Sequence, residues 1–343
     1  MLPIHPPSSC KPTDMHTRHI ASLEVSAIGL GCMNLSHGYG HADPEDAAAL
    51  LHRALDLGCT FLDTATVYGR GANETLIGKT LSRHRNAFTL ASKCGMDAHG
   101  IDGRPVTLAR QIDASLTRLR TDVIDLYYLH RADPGVPIEE SVGAMARMVE
   151  AGKVREIGLS EINVLQLEAA RREHPIAAVQ SEYSLWSRTP EHGMLDACRE
   201  HGTTLVPFSP LGRQFLTGRA RSTDELPNDD LRCTIARPRF EPQAFEANRA
   251  LLGPFAMLTE REGHTMAQMA LAWLLARSDG SLVPIPGTKH IDWLEENLAA
   301  ADLVLSVEAH HELDALFAEA NITGSRYTSD RMRDSDAERD RVS

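Results

Sequence analysis

Asp63 ends the short apolar run TFLD, Lys93 follows FTLAS, and His130 follows VIDLYYL. Tyr68 lies five residues after Asp63. A carboxylate, an ammonium, a phenol and an imidazole brought to one place form a proton-transfer device. A free phenol titrates near pH ~10, too high for easy exchange at neutral pH. A neighbouring ammonium favours the phenolate and lowers that value. Asp63 would keep Lys93 charged and oriented, and His130 would hydrogen-bond a substrate oxygen or share the proton. Such a set can protonate a carbonyl oxygen while hydride reaches the carbon. Asp63 and Lys93 alone would read as a structural ion pair. With Tyr68 and His130 at matching strand ends, the functional reading wins.

The elements that must position these residues are short apolar runs alternating with amphipathic helical stretches. Strands are expected at 26–31, 60–63, 88–92, 123–129, 154–159, 177–181, 203–208 and 281–285. Helices are expected at 44–57, 73–81, 107–119, 138–150, 164–173 and 190–200. Others follow near 243–262, 265–277, 291–300 and 307–320, after a long irregular segment at 209–241. Gly58 suits the residue after a helix end, and Thr107 suits an N-cap. Continuous apolar strands imply burial on both faces. Eight βα units within 343 residues fit a (β/α)₈ TIM barrel, whose functional groups sit at the C-terminal ends of its strands. Residues 1–20 read as an unstructured leader, 21–324 as the barrel, and 325–343 as a charged flexible tail.

Composition removes several function classes. Lys plus Arg number 35 against 47 Asp plus Glu, a net charge of −12 that opposes nucleic-acid binding. The apolar stretch 269–276 is far short of the ~20 residues that span a bilayer, so no membrane partner is expected. No apolar signal region is visible in residues 1–20, and six cysteines without a C-x-x-C pair read as reduced cytoplasmic thiols. Sixteen histidines show no zinc spacing, so no metal is expected. Gly78-Lys79-Thr80 imitates the end of a phosphate loop, but position 73 is Asn and the stretch reads as a helix. Cys94 reads as a buried inert thiol rather than a reactive one, and His310-His311 as solvated. Tyr127 and Tyr128 read as core packing. Trp186 and Tyr183 would either line a pocket or pack beneath it.

FLDTATVYG (61–69), ASKCG (91–95), DLYYLHR (125–131), GLSE (158–161), VQSEYSLWSR (179–188), PFSPLGR (207–213) and IPGTKHIDWLEENLAA (285–300) together resemble the aldo-keto reductases. The likeness spans roughly 20–325, and LGCMNLSHGYG (30–40) points to the perakine reductase-like branch of bacteria and plants. It implies a catalytic tetrad of Asp63, Tyr68, Lys93 and His130, with Tyr68 the general acid for reducing an aldehyde or ketone. It implies NADPH laid across the barrel mouth, and no G-x-G-x-x-G fingerprint is present.

By the same likeness, Gly31 and Met33 belong to the cofactor site. Ser160 and Gln180 hold the carboxamide, and Phe208 stacks on the nicotinamide where tyrosine is more usual. Ser209, Leu211 and Gly212 begin a pyrophosphate strap, with Arg213 and Arg219 as its cations. Gly287, Thr288 and Lys289 take the 2′-phosphate, and Glu296 and Asn297 the adenine. Three positions depart from the pattern: Gln214 replaces a common glycine, Trp293 stands where Arg or Gln is frequent, and Glu161 where some relatives have Asn. An indole cannot clamp a phosphate, so NADP preference rests on Lys289 and use of NADH stays open. The implied partner is a small carbonyl compound; oligomeric state is not legible. The same fold and tetrad occur in potassium-channel β subunits, so a cofactor sensor with little turnover is the alternative reading.

Overall fold

Residues 15–337 are described by the computed structural model. A hairpin comes first: β1 (Thr17–Ile20) pairs antiparallel with β2 (Leu23–Ser26). Then β3 (Leu30–Gly31), β4 (Phe61–Asp63) and β5 (Thr89–Cys94) begin a parallel sheet. A second small hairpin, β6 (Met96–Asp97) with β7 (Gly100–Ile101), interrupts it. The sheet continues through β8 (Ile124–Leu129), β9 (Val154–Ser160), β10 (Ala178–Glu182) and β11 (Thr204–Phe208). These seven parallel strands lie in chain order from β3 to β11.

Residues 281–286 close the ring between β11 and β3. Val283 and Ile285 donate their N–H groups to Leu205 O and Pro207 O, each at 3.0 Å. Pro284 O and Pro286 O accept from Gly29 N and Gly31 N at 2.9 and 3.2 Å. The expected eighth strand is therefore in place, but its two prolines have no N–H to return to β3, so the ladder is incomplete. The architecture is the expected (β/α)₈ barrel.

Helices cover the outside and bury their apolar stripes against the strands. α1 (Pro44–Asp56) is capped by Asp43, whose carboxylate accepts from Glu45 N and Asp46 N. Gly58, at φ +80°, closes it as expected. α2 (Ala72–Leu81) contains Gly78-Lys79-Thr80, which excludes a phosphate loop there. α3 begins earlier than expected, at Pro105, and runs to Leu119. Proline at the first position sets the start, because its missing N–H would be unpaired there anyway. Thr107 therefore lies inside the helix and donates to Asp102.

Two boundary expectations fail. Residues 17–20 are a strand, not part of a leader. Ile20, Leu23 and Val25 are buried against Phe61, Leu126 and Val206. Thr89 and Thr204, the first residues of β5 and β11, hydrogen-bond Glu24 O and His19 O, so the hairpin plugs the N-terminal end of the barrel. The rest of the expected leader, 1–14, lies outside the described residues. Nor does a mobile tail begin at 325. Arg326 and Ser335 are 2% exposed and Asp336 N donates to Glu161 O, so the segment packs against the strand ends down to 337. Residues 338–343 also lie outside the described part.

Candidate active site

The strand register brings the expected residues to one end of the barrel. Asp63 ends β4, Lys93 is the penultimate residue of β5, and His130 directly follows β8. Tyr68 opens a tight turn at Tyr68–Gly71, where Gly69 and Arg70 both take left-handed backbone at φ +57° and +54°.

Lys93 is 1% exposed, and all three of its ammonium hydrogens have acceptors. Its Nζ reaches Asp63 Oδ1 at 2.5 Å, Thr64 O at 2.9 Å and Tyr68 Oη at 3.2 Å. The other Asp63 oxygen accepts from Gln180 Nε2 at 2.9 Å. Burial alone would discharge Lys93, but Asp63 and Tyr68 hold its pKa above the ordinary value. Burial pushes the Tyr68 phenol upward, and Lys93 offsets this only in part, so its net shift is up. That reverses the expected direction, because desolvation of the phenolate outweighs the ammonium. Burial, with Arg131 and Lys93 close by, drives His130 well below the ordinary imidazole value. Its ring meets Tyr68 edge-on at 5.9 Å between centroids.

A cavity of ≈ 250 Å³ opens over Asp63, Tyr68 and Gln180. Gly31, Met33, Phe208, Ser209, Leu211, Arg213 and Arg219 line it. Gly287, Thr288, Lys289, Glu296 and Asn297 line it as well. Gly31 and Gly287 let two backbones close: a Cβ on Gly31 would meet Ile285 O at 2.8 Å, and one on Gly287 would meet Gly31 O at 2.7 Å. Ser160 is buried and accepts from Arg131 at 3.2 Å; it sits beside Gln180 in the β9–β10 register. Gly212, at φ +57°, turns the loop over Trp186.

The basic residues divide into two kinds. Arg213 gives two hydrogen bonds to Glu182, at 2.9 and 2.8 Å, so its charge is met inside the protein. Arg219 approaches Glu296 at 3.5 Å and lies over the Trp293 ring at 4.9 Å. Lys289 instead donates to two neutral carbonyls, Tyr39 O at 2.7 Å and His41 O at 2.9 Å. Burial lowers its pKa, as expected of a cation whose bonded partners carry no charge. Gln214 keeps a glycine-like backbone at φ +77°, and its side chain accepts from Arg232. Glu161, at φ +55°, occupies a left-handed position that Asn tolerates well, and its carboxylate turns away to Arg326 and Ser335.

Sequence reasoning missed Arg232 and Tyr39, which both line the cavity. Arg232 lies over the Tyr39 ring at 5.3 Å and is paired with Asp230. Its only local signal was the Asp two residues earlier, inside an irregular loop. Tyr183 and Trp186 pack beneath the site: Trp186 stacks on Phe215 at 3.9 Å, and Tyr183 donates to Glu191. Tyr127 and Tyr128 are both fully buried, as core packing requires. Cys94 is buried with its thiol pushed up to about 12, which suits an inert group. His310, expected to be solvated, is half-buried against Trp273 and near Asp314. Among the described residues no group of three metal-ligating side chains occurs, and no helix is long and apolar enough to cross a membrane.

Residues 27–318 match the model of the aldo/keto reductase family. The chain is 40% identical over 322 residues to aldo-keto reductase yakc (NADP+) of Schizosaccharomyces pombe, covering 91% of this chain and 94% of that protein. The glycerol dehydrogenase structure from Gluconobacter oxydans superposes with a TM-score of 0.80 at 28% identity, over 88% of this chain and 95% of that one. An aldo/keto reductase from Klebsiella pneumoniae, solved with NADP and acetate, gives 0.69 at 28% identity, over 89% and 95%.

Proposed function

The chain belongs to the aldo/keto reductase family of oxidoreductases, and from that premise we propose that it reduces an aldehyde or ketone with NADPH, with Tyr68 as general acid. The observation that carries this reading is the contact of Lys93 Nζ with both Asp63 and Tyr68 at the cavity wall.

The residues present fit the cofactor. Lys289 is bonded to neutral carbonyls alone and keeps a hydrogen for a phosphate oxygen. Gln180 spends one amide hydrogen on Asp63, which leaves its carbonyl and second N–H for a carboxamide, with Ser160 beside it. Phe208 offers a π-face at the end of β11. A relative whose name carries NADP(+) and a neighbour solved with NADP support the choice. When bound, NADPH supplies the hydride from nicotinamide C4.

The protein's own part is proton delivery and orientation. Tyr68 stays protonated at neutral pH and gives its proton to the substrate oxygen as negative charge develops there. Lys93 stabilises the resulting phenolate from 3.2 Å, and Asp63 keeps Lys93 charged. His130, neutral, orients the carbonyl oxygen. Tyr68→Phe keeps the ring and removes the proton. It is expected to cut kcat for aldehyde reduction by about 10²–10⁴-fold. NADPH binding, followed by fluorescence, should stay within about twofold. Wild-type turnover in Tyr68→Phe would end the assignment.

A further inference from the structure

One fully buried carboxylate takes no part in the proton relay. Glu74 lies in the first turn of α2. Its Oε1 accepts from Ser92 Oγ at 2.5 Å. Its Oε2 accepts from Arg118 Nε at 2.7 Å and from Nη2 at 2.6 Å. Arg118 is half-buried in the last turn of α3. An ion pair between two outer helices is ordinarily structural. What distinguishes this one is where its remaining contacts lead.

One leads to the turn that carries Tyr68. Gly69, Arg70 and Gly71 take left-handed backbone in succession, at φ +57°, +54° and +88°. For Arg70 that conformation is costly and persists only where the surroundings impose it. The Arg118 side chain lies against Gly71: a Cβ there would meet Arg118 Cδ at 2.8 Å and Nε at 2.9 Å. Thr75 Oγ1 donates to Gly71 O at 2.9 Å and ties the end of the turn to α2.

The others lead to Lys93. Ser92 precedes Lys93 on β5, and alternation along the strand points the two side chains to opposite faces. Arg118 Nη2 also donates to Ser115 Oγ at 3.2 Å, and Ser115 Oγ lies 3.1 Å from Thr66 Oγ1. Thr66 N donates to Lys93 O at 3.2 Å. Two routes thus run from Arg118 to the Lys93 strand end, one through Glu74 and one through Thr66.

We propose that Arg118 is a positioning residue for proton transfer: clamped between Glu74 and Gly71, it holds the turn that carries Tyr68 at a fixed distance from Lys93. This rests on the reading of Tyr68 given above. A guanidinium bonds one carboxylate through two nitrogens while its stem covers the turn, and an ammonium cannot do both.

The test uses the full chain. Arg118→Lys keeps the charge beside Glu74 and loses the fork. Glu74→Gln with Arg118→Met removes both charges, so no buried carboxylate is left without its cation. Each should lower kcat for butanal reduction by about 10- to 100-fold, the cost of a misplaced reacting group. The Kd of NADPH, followed by fluorescence, should stay within about twofold of wild type. In a Tyr68→Phe background, Arg118→Lys should cost less than about twofold more.

A second readout needs no turnover. The chain has six tyrosines, and fluorine-19 NMR of protein carrying 3-fluorotyrosine resolves Tyr68 as the signal lost in Tyr68→Phe. Lys93 lowers the pKa of this phenol, so a phenol drawn away from it should titrate at higher pH in Arg118→Lys than in wild type. Asp63, Arg131, His130 and His37, which also face Tyr68, are the same in both proteins.

Wild-type kcat in either variant overturns the proposal. So does an unmoved Tyr68 titration, or a loss that multiplies that of Tyr68→Phe, since Arg118 would then support the fold at large. Wild-type turnover in Tyr68→Phe defeats the reading of Tyr68 instead, and the titration still decides whether Arg118 holds the phenol in place.

Discussion

At Tyr68, two opposing effects meet and burial wins. Removing the phenol from water raises its pKa, while Lys93 at 3.2 Å lowers it by less. For a proton donor this is the useful outcome, since the phenol is charged with its proton throughout the neutral range. His130 contributes no titration there, because its pKa lies well below the ordinary value. The expected kcat/KM for reduction is therefore flat from about pH 6 to 8 and falls only on the alkaline side, as Tyr68 ionises. In the oxidative direction the sign reverses, and activity rises with pH as phenolate forms. A pH series in both directions checks this. An acid limb near the ordinary imidazole value, removed by His130→Gln, would show that His130 carries a proton in turnover. The positions of Asp63, Lys93 and His130 were legible in the sequence because each stands at a strand end, and that of Tyr68 because it follows Asp63 by five residues. The direction of the Tyr68 shift was not, because it depends on how completely the folded chain removes water from the phenol.

At the scale of the element, the site depends on how closely β8 and β9 approach. Tyr128 and Gly158 are register partners, and a Cβ on Gly158 would meet Tyr128 Cδ1 at 2.4 Å. The absent side chain leaves room for a tyrosine ring inside the barrel, 6.0 Å from Lys93 Nζ. Gly158→Ala is expected to destabilise the fold by about 1–3 kcal/mol through overpacking. Urea unfolding checks the magnitude. Pairing it with Tyr128→Leu should give less than the sum of the two single effects, because the smaller side chain relieves the clash. Additive losses would show that the ring is not what the alanine strikes. Seven strands were legible as apolar runs, within a few residues of their bounds. The eighth was legible in place but not in pairing, since Pro284 and Pro286 satisfy the apolar pattern while removing donors from the ladder. The N-terminal hairpin escaped notice because each strand is only four residues long and β1 buries Ile20 alone, too little to set a pattern.

At the scale of the whole molecule, the C-terminal segment is joined to the loop over the cavity by buried charge. Arg326 lies between Glu161 at 2.8 Å and Glu182 at 3.2 Å, and Glu182 also receives Arg213 from that loop. In sequence, the stretch after 325 mixes charges without apolar periodicity, which reads as solvated. Its partners come from the ends of two different strands, and no local pattern announces such a pairing. Burial pushes both carboxyls up, but the arginines pull them down by more, to about 2 for Glu182 against an ordinary 4.5. A depressed folded-state value adds stability that is fully present above about pH 4.5 and is lost as pH falls toward about 2. Arg326→Met fills similar space without the charge. It should cost about 3–5 kcal/mol at pH 7, because Glu161 is left buried without its cation. Its acid-unfolding midpoint should also move to higher pH, as Glu161 then takes a proton more readily. Circular dichroism during acid titration, beside urea unfolding at pH 7, measures both. If the variant is weaker at pH 7 but unfolds at the wild-type acid midpoint, Arg326 supports the segment by packing alone. A midpoint raised together with the pH 7 loss would mean that the strand ends, the loop and the C-terminal segment share one buried charge balance.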